Sequence, residues 1–110
     1  MPRIDDILPN KATYHPGETA LIRVTVSNDG HTAIHARLAL VVTHIATTVE
    51  QLTETVRLEP NAVTLVEFAL TPPPTPLRGY GLDATLYDES GQGLAQGTGA
   101  LDVLERWSQA

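Results

Sequence analysis

The four histidines, His15, His31, His35 and His44, are the residues most suited to metal chemistry, because imidazoles held together bind zinc. An extended chain sends alternate side chains to opposite faces, which separates His35 from His44. His31 and His35 share a face but stand about 13 Å apart at the rise of a strand. A zinc site would therefore need ligands from different strands, and the expectation is polar, exposed histidines with no metal. The adjacent carboxylates Asp5-Asp6 and Asp88-Glu89 are the next candidates. Glycoside hydrolysis needs two carboxylates about 5 to 9 Å apart around a cleft, whereas these pairs fall at a terminus and in a tight hairpin. Calcium at Asp88-Glu89-Ser90 lacks the spaced oxygen ligands of a loop site. Ser27, Ser90 and Ser108 lie outside any G-x-S-x-G elbow. The chain has no cysteine, which removes disulfides, thiolate metal sites and a thiol nucleophile. No catalytic residue, metal ligand or cofactor is expected.

Two other groups of residues suit contact rather than catalysis. Gly91, Gly93, Gly97 and Gly99 do not open a helix, so they do not cradle phosphate. Ala95, Gly97, Gly99 and Leu101 share one face of a strand, and that nearly flat face lets another surface approach closely. A docked neighbouring domain would explain it, and a plain edge strand is the alternative. Sugar-binding sandwiches stack pyranose rings on exposed aromatics, and only five aromatics exist here. Phe68 and Tyr80 fall on inward faces, and Tyr14 is expected beneath the His15-Pro16-Gly17-Glu18 turn. Tyr87 and Trp107 are left as sugar contacts, at opposite ends of a hairpin, which makes a poor platform.

The elements that must position these residues are strands. Branched residues suit a pleated surface, and the chain holds 14 Thr, 9 Val and 5 Ile. Ala20, Ile22, Val24 and Val26 alternate with Leu21, Arg23, Thr25 and Ser27, the period of a half-buried strand. Asn28-Asp29-Gly30 then reads as a hairpin turn. Ile34, Ala36, Leu38, Leu40 and Val42 form the next inward face. Leu52, Glu54, Val56 and Leu58 form another, with Val49 out of step, so a bulge is expected near Glu50-Gln51. Glu59–Ala62 is a turn, and Val66, Phe68 and Leu70 follow on an inward face. Pro72–Pro76 has no place in a central strand and reads as a stiff crossover between sheets. Tyr80, Leu82, Ala84 and Leu86 face inward, Asp88–Gly93 is a hairpin loop, and the last strand runs to about Val103. Ile4–Leu8 adds an edge strand.

About seven strands with no helix predict an all-β fold, an antiparallel sandwich of immunoglobulin or fibronectin III type, as one domain over residues 1–110. The charge of −6 disfavours nucleic acid. No apolar run reaches 18 residues, so no membrane insertion is expected. The opening lacks a basic, apolar leader, which leaves the chain cytoplasmic, or extracellular if a leader has been removed.

Three segments carry a family resemblance. Lys11–Glu18 leading into Ala20–Val26, the run Pro73-Pro74-Thr75-Pro76-Leu77-Arg78-Gly79-Tyr80, and the close Ala100-Leu101-Asp102-Val103-Leu104-Glu105-Arg106-Trp107 resemble, in order and spacing, the N-terminal immunoglobulin-like domain of glycoside hydrolase family 66. That family contains dextranases and cycloisomaltooligosaccharide glucanotransferases. The resemblance implies that the catalytic Asp and Glu lie on a downstream barrel, which makes this chain the N-terminal part of a larger protein, with no catalytic residue of its own. It implies the catalytic domain of the same polypeptide as partner, with α-glucan oligosaccharide as a further contact. Trp107, Tyr80, Gly97 and Gly99 are the expected interdomain contacts, with Trp107 as a hinge anchor. A carbohydrate-binding module using Tyr87 or Trp107, or a spacer module of a surface protein, is the alternative.

Overall fold

The computed structural model describes residues 2–11, 13–15, 17–44, 47–71 and 79–103. Among them are eight strands and no helix: β1 (Pro2–Pro9), β2 (Thr13–Tyr14), β3 (Ala20–Asn28), β4 (Ile34–His44), β5 (Thr47–Leu58), β6 (Ala62–Leu70), β7 (Tyr80–Tyr87) and β8 (Gly93–Val103). They form two sheets, ordered β1-β3-β6 and β2-β8-β7-β4-β5. The all-β expectation holds, and the added strand is the two-residue β2, which runs parallel to β8 through Thr13–Asp102 and Tyr14–Val103. All other pairings are antiparallel.

Alternation builds the core. Ile22, Val24 and Val26 of β3 face Leu38 and Leu40 of β4 and Leu82, Ala84 and Leu86 of β7 across the two sheets, all without solvent exposure. Each large aliphatic side chain buried in this way is worth roughly 1.5–3 kcal/mol. Glu54 lies opposite Leu38 on the nominal inward face of β5, yet it is exposed, because β5 is the sheet's outer strand.

The bulge expected near Glu50-Gln51 lies at Val49. Val42 pairs Glu50 and Thr43 pairs Thr48, so Val49 is the extra residue on β5. The bulge turns Val49 toward the core despite its odd position. A second bulge makes Asp5 the extra residue of β1. The Asp5 carboxylate accepts hydrogen bonds from the Ser27 hydroxyl and from Arg3 Nε, the latter at 2.8 Å.

The Asn28-Asp29-Gly30 turn is not a hairpin. It carries the chain from β3 in one sheet to β4 in the other. The cause is the buried Asn28 side chain. Its Oδ1 accepts the Gly30 amide at 3.1 Å, while its Nδ2 donates to the carbonyls of Thr32 (3.0 Å), Leu58 (3.3 Å) and Glu59 (3.2 Å). One amide thus pins two sheet-to-sheet connections, because Glu59–Asn61 is the other. The Asp88–Gln92 hairpin holds as expected, joining the paired strands β7 and β8. The proline run lies outside the described residues, but the strands it joins, β6 and β7, do belong to different sheets.

At the N-terminal break Tyr14 is buried as expected. Its hydroxyl donates to Asn10 Oδ1 at 2.6 Å and accepts the Lys11 amide at 3.0 Å. Asn10 Oδ1 also accepts the Leu21 amide at 3.1 Å, which fastens the β1–β2 turn to β3.

Candidate interaction surface

The polar residues singled out for chemistry are spread over turns and edges. Among the described residues no group of three His, Asp or Glu side chains gathers as a metal site would require. His35 Nε2 lies 3.2 Å from Arg57 on the open face of the five-stranded sheet, whereas His44 lies against Tyr80 at the opposite end of β4. Asp88 is committed to its turn. Its carboxylate accepts the Ser90 hydroxyl (2.6 Å) and the amides of Ser90 and Gln92 (both 2.9 Å), and these bonds, the Ser90 hydroxyl foremost, hold its pKa below the ordinary aspartate value. Hydrogen bonding from Ser27, then from Arg3, depresses Asp5 in the same sense. Glu18 is lowered by Lys11 Nζ at 2.5 Å and by the His15 amide at 2.7 Å. Each of these carboxylates is a stabilised anion, the reverse of the raised carboxyl that a general acid needs.

The contact residues fare differently. Gly97 and Gly99 do permit a close approach, and the surface that approaches is β1 of the same chain. A Cβ on Gly97 would come within 2.8 Å of Ile4 Cγ2, and one on Gly99 within 3.1 Å of the Ile7 carbonyl oxygen. The flat face of β8 is thus covered from within, and these glycines need no neighbouring domain to account for them. Tyr87 is half-buried on the outer face of the five-stranded sheet, with the Arg37 guanidinium 5.2 Å from its ring centroid, so a cation already occupies one ring face. Trp107 lies outside the described residues.

Tyr80 opens β7 and is buried. Its ring lies 5.4 Å from that of His44 at a 46° tilt. Tyr80 lines a cavity of about 210 Å³ between the two sheets, where β7 begins and β6 and β8 end. Val42, Val49, Leu70 and Leu101 give the cavity apolar walls, and Glu50 and Thr71 add polar groups. The Tyr80 hydroxyl is buried with no hydrogen-bond partner among the described residues, and burial raises its pKa. Sequence reasoning placed Tyr80 inward but gave no sign of the cavity, because the walls come from five strands.

A second feature escaped the sequence reading. The outer face of the three-stranded sheet exposes Leu8, Leu21, Val63 and Leu65, at 57%, 38%, 65% and 60% of their full area. The register puts these side chains on one surface: Leu8 lies beside Arg23, Leu21 beside Ala69, Val63 beside Ser27 and Leu65 beside Thr25. The Arg23–Glu67 ion pair, at 3.3 Å, crosses the middle of the patch. Single exposed leucines are ordinary, whereas here four large apolar side chains share one open sheet face. The signal was present in the alternation of β6, whose outward set, Val63, Leu65, Glu67 and Ala69, is mostly apolar.

The family model of glycosyl hydrolase family 66 matches residues 9–109. Among solved structures, a Paenibacillus sp. cycloisomaltooligosaccharide glucanotransferase, complexed with cycloisomaltoheptaose, is similar at 25% identity and a TM-score of 0.84, over 99% of this chain and 15% of that one. A β-glucuronidase of Bacteroides uniformis shares the fold at 16% identity and a TM-score of 0.77, over 92% of this chain and 14% of that one. The CARDB domain of the Pyrococcus furiosus protein PF1109, solved with di-metal ions, shares it at 19% identity and a TM-score of 0.65, over 94% and 85%. No curated protein sequence matches the chain. The present chain therefore spans about 15% of the glucanotransferase it resembles.

Proposed function

The chain belongs to glycosyl hydrolase family 66, and from that premise we propose that it is a non-catalytic accessory domain, packing against and orienting the catalytic barrel of a longer, dextranase-like enzyme. The observation that carries this reading is the apolar outer face of the three-stranded sheet. A sandwich needs only its inner faces to make its core, so Leu8, Leu21, Val63 and Leu65 contribute nothing to folding that polar residues would not. Against a neighbouring domain the same side chains lose their water contact, at roughly 25 cal/mol per Å² of apolar surface covered. The depressed carboxylates support the non-catalytic part of the reading. Asp5, Glu18 and Asp88 are each bound into local hydrogen bonds that hold a turn or a bulge, which leaves none of them poised to exchange a proton near neutrality.

Hydrogen exchange tests the reading. The amides of β6 are measured in the 110-residue chain and in the longer gene product. Exchange over Ala62–Leu70 is expected to be at least tenfold slower in the longer protein, because β6 is an outer strand whose apolar face becomes covered. Equal exchange in both would sink the proposal.

A further inference from the structure

We infer that the free edge of β6 is a docking site for an extended segment of the longer polypeptide, which adds to it as a strand and sets a Lys or Arg side chain against Glu54. The inference rests on the accessory-domain reading and deepens it by naming where the rest of the protein takes hold. The first argument is a contrast among edges. An unpaired strand edge recruits other strands, and natural sheets guard against this with prolines, bulges, charges or very short strands. The two sheets end on four strands, β1, β6, β2 and β5. β1 has Pro2, Pro9 and the bulge at Asp5. β2 is two residues long. β5 has the bulge at Val49 and the charges of Glu50, Glu54 and Arg57. β6 has no such guard except Glu67. It pairs with β3 in unbroken register from Ala62 to Leu70, and Val63, Thr64, Val66 and Phe68 are strong strand formers. Alternate N–H and C=O groups along it point away from β3, where no strand among the described residues meets them.

The second argument is the space beside that edge. Residues 54–57 of β5 and 64–67 of β6 line an open groove of about 370 Å³ between the two sheets. Leu52 and Val56, on the inward side of β5, are only half-buried, and Glu54 between them is exposed. A strand added to β6 lies over this uncovered side, with its main chain bonded to β6 and its alternate side chains reaching Leu52 and Val56. The third argument is charge. Among the described residues no cation pairs with Glu54, since Arg57 is held by Glu59 at 2.5 Å and Arg23 by Glu67 at 3.3 Å. A basic side chain on the incoming strand supplies the missing partner. A second copy joined through the same edge would instead set its own β5 and its own Glu54 beside the first, in a chain of net charge −6.

Hydrogen exchange at single amides of β6 tests the inference, because the two alternate sets answer different questions. One set is bonded to β3 and the other points to the free edge. In the longer gene product the edge set is expected to slow by roughly tenfold or more relative to the β3 set, compared with the 110-residue chain. Glu54→Lys, on an exposed side chain, is expected to reverse that slowing in the longer protein and to leave the short chain unchanged. If both sets slow alike, the outer face is covered without edge pairing, so the edge site is overturned and the accessory reading stands. If neither slows, both fall. If the edge set slows but Glu54→Lys changes nothing, the basic partner is overturned and the inference with it. Protection of the edge set that rises with the concentration of the short chain would assign the edge to a second copy and overturn the inference.

Discussion

Asn28 is the residue on which the connection between the sheets turns. Its amide makes four hydrogen bonds, three of them to carbonyls of Thr32, Leu58 and Glu59. Asn28→Ala is expected to lower stability by about 2–3 kcal/mol, since it leaves carbonyls near the core unpaired. Urea denaturation would show it as a lower midpoint at an unchanged slope. Asp88 gives a pH signature. Its pKa is depressed when folded, so its contribution is present above the ordinary aspartate value and lost as pH falls below it. Asp88→Asn is therefore expected to flatten the acid limb of Tm against pH by lowering Tm at neutrality while changing it little at low pH. Tyr80 acts at the other extreme. Burial raises its pKa, so the folded state holds the neutral phenol, and the stability this gives is lost as pH rises past the ordinary tyrosine range. Tyr80→Phe is expected to remove that alkaline loss, which urea midpoints across the alkaline range would reveal.

Elements explain why the sequence read well along strands and less well between them. The inward faces of β3, β4, β6 and β7 followed directly from alternation, because a pleated strand buries every second residue whatever its neighbours are. The bulge was legible from Val49 alone, since an apolar residue of the wrong parity needs an extra residue to turn inward. Asn28-Asp29-Gly30 was misread as a hairpin because the same tripeptide serves a tight hairpin and a sheet-to-sheet arch. What decides between them is a side-chain amide reaching Leu58 and Glu59, thirty positions away. The glycines of β8 were legible as a close-approach surface, but the approaching element, β1, lies at the opposite end of the chain. That contact makes a prediction. Gly97→Ala would drive a Cβ to 2.8 Å from Ile4 Cγ2 and is expected to cost about 1–3 kcal/mol. Adding Ile4→Ala would recover part of the loss, a non-additivity that a double-mutant cycle reads directly.

At the scale of the whole molecule, one feature remains that a self-sufficient sandwich does not need: the apolar outer face of the three-stranded sheet. It finds a use if this domain is one part of a family 66 enzyme, as its match to 15% of a glucanotransferase supports. The family was legible from three short segments, whereas the apolar sheet face was not, because it gathers residues from three strands. The accessory role is exerted on the rest of the protein. Calorimetry and dextran hydrolysis of the longer gene product, with and without residues 1–110, test it most directly. Loss of the domain is expected to lower the Tm of the barrel, by roughly 2–4 °C for each kcal/mol of interface lost, while hydrolysis stays measurable. An unchanged Tm with unchanged kinetics, or dextran hydrolysis by the 110-residue chain alone, would contradict an accessory role.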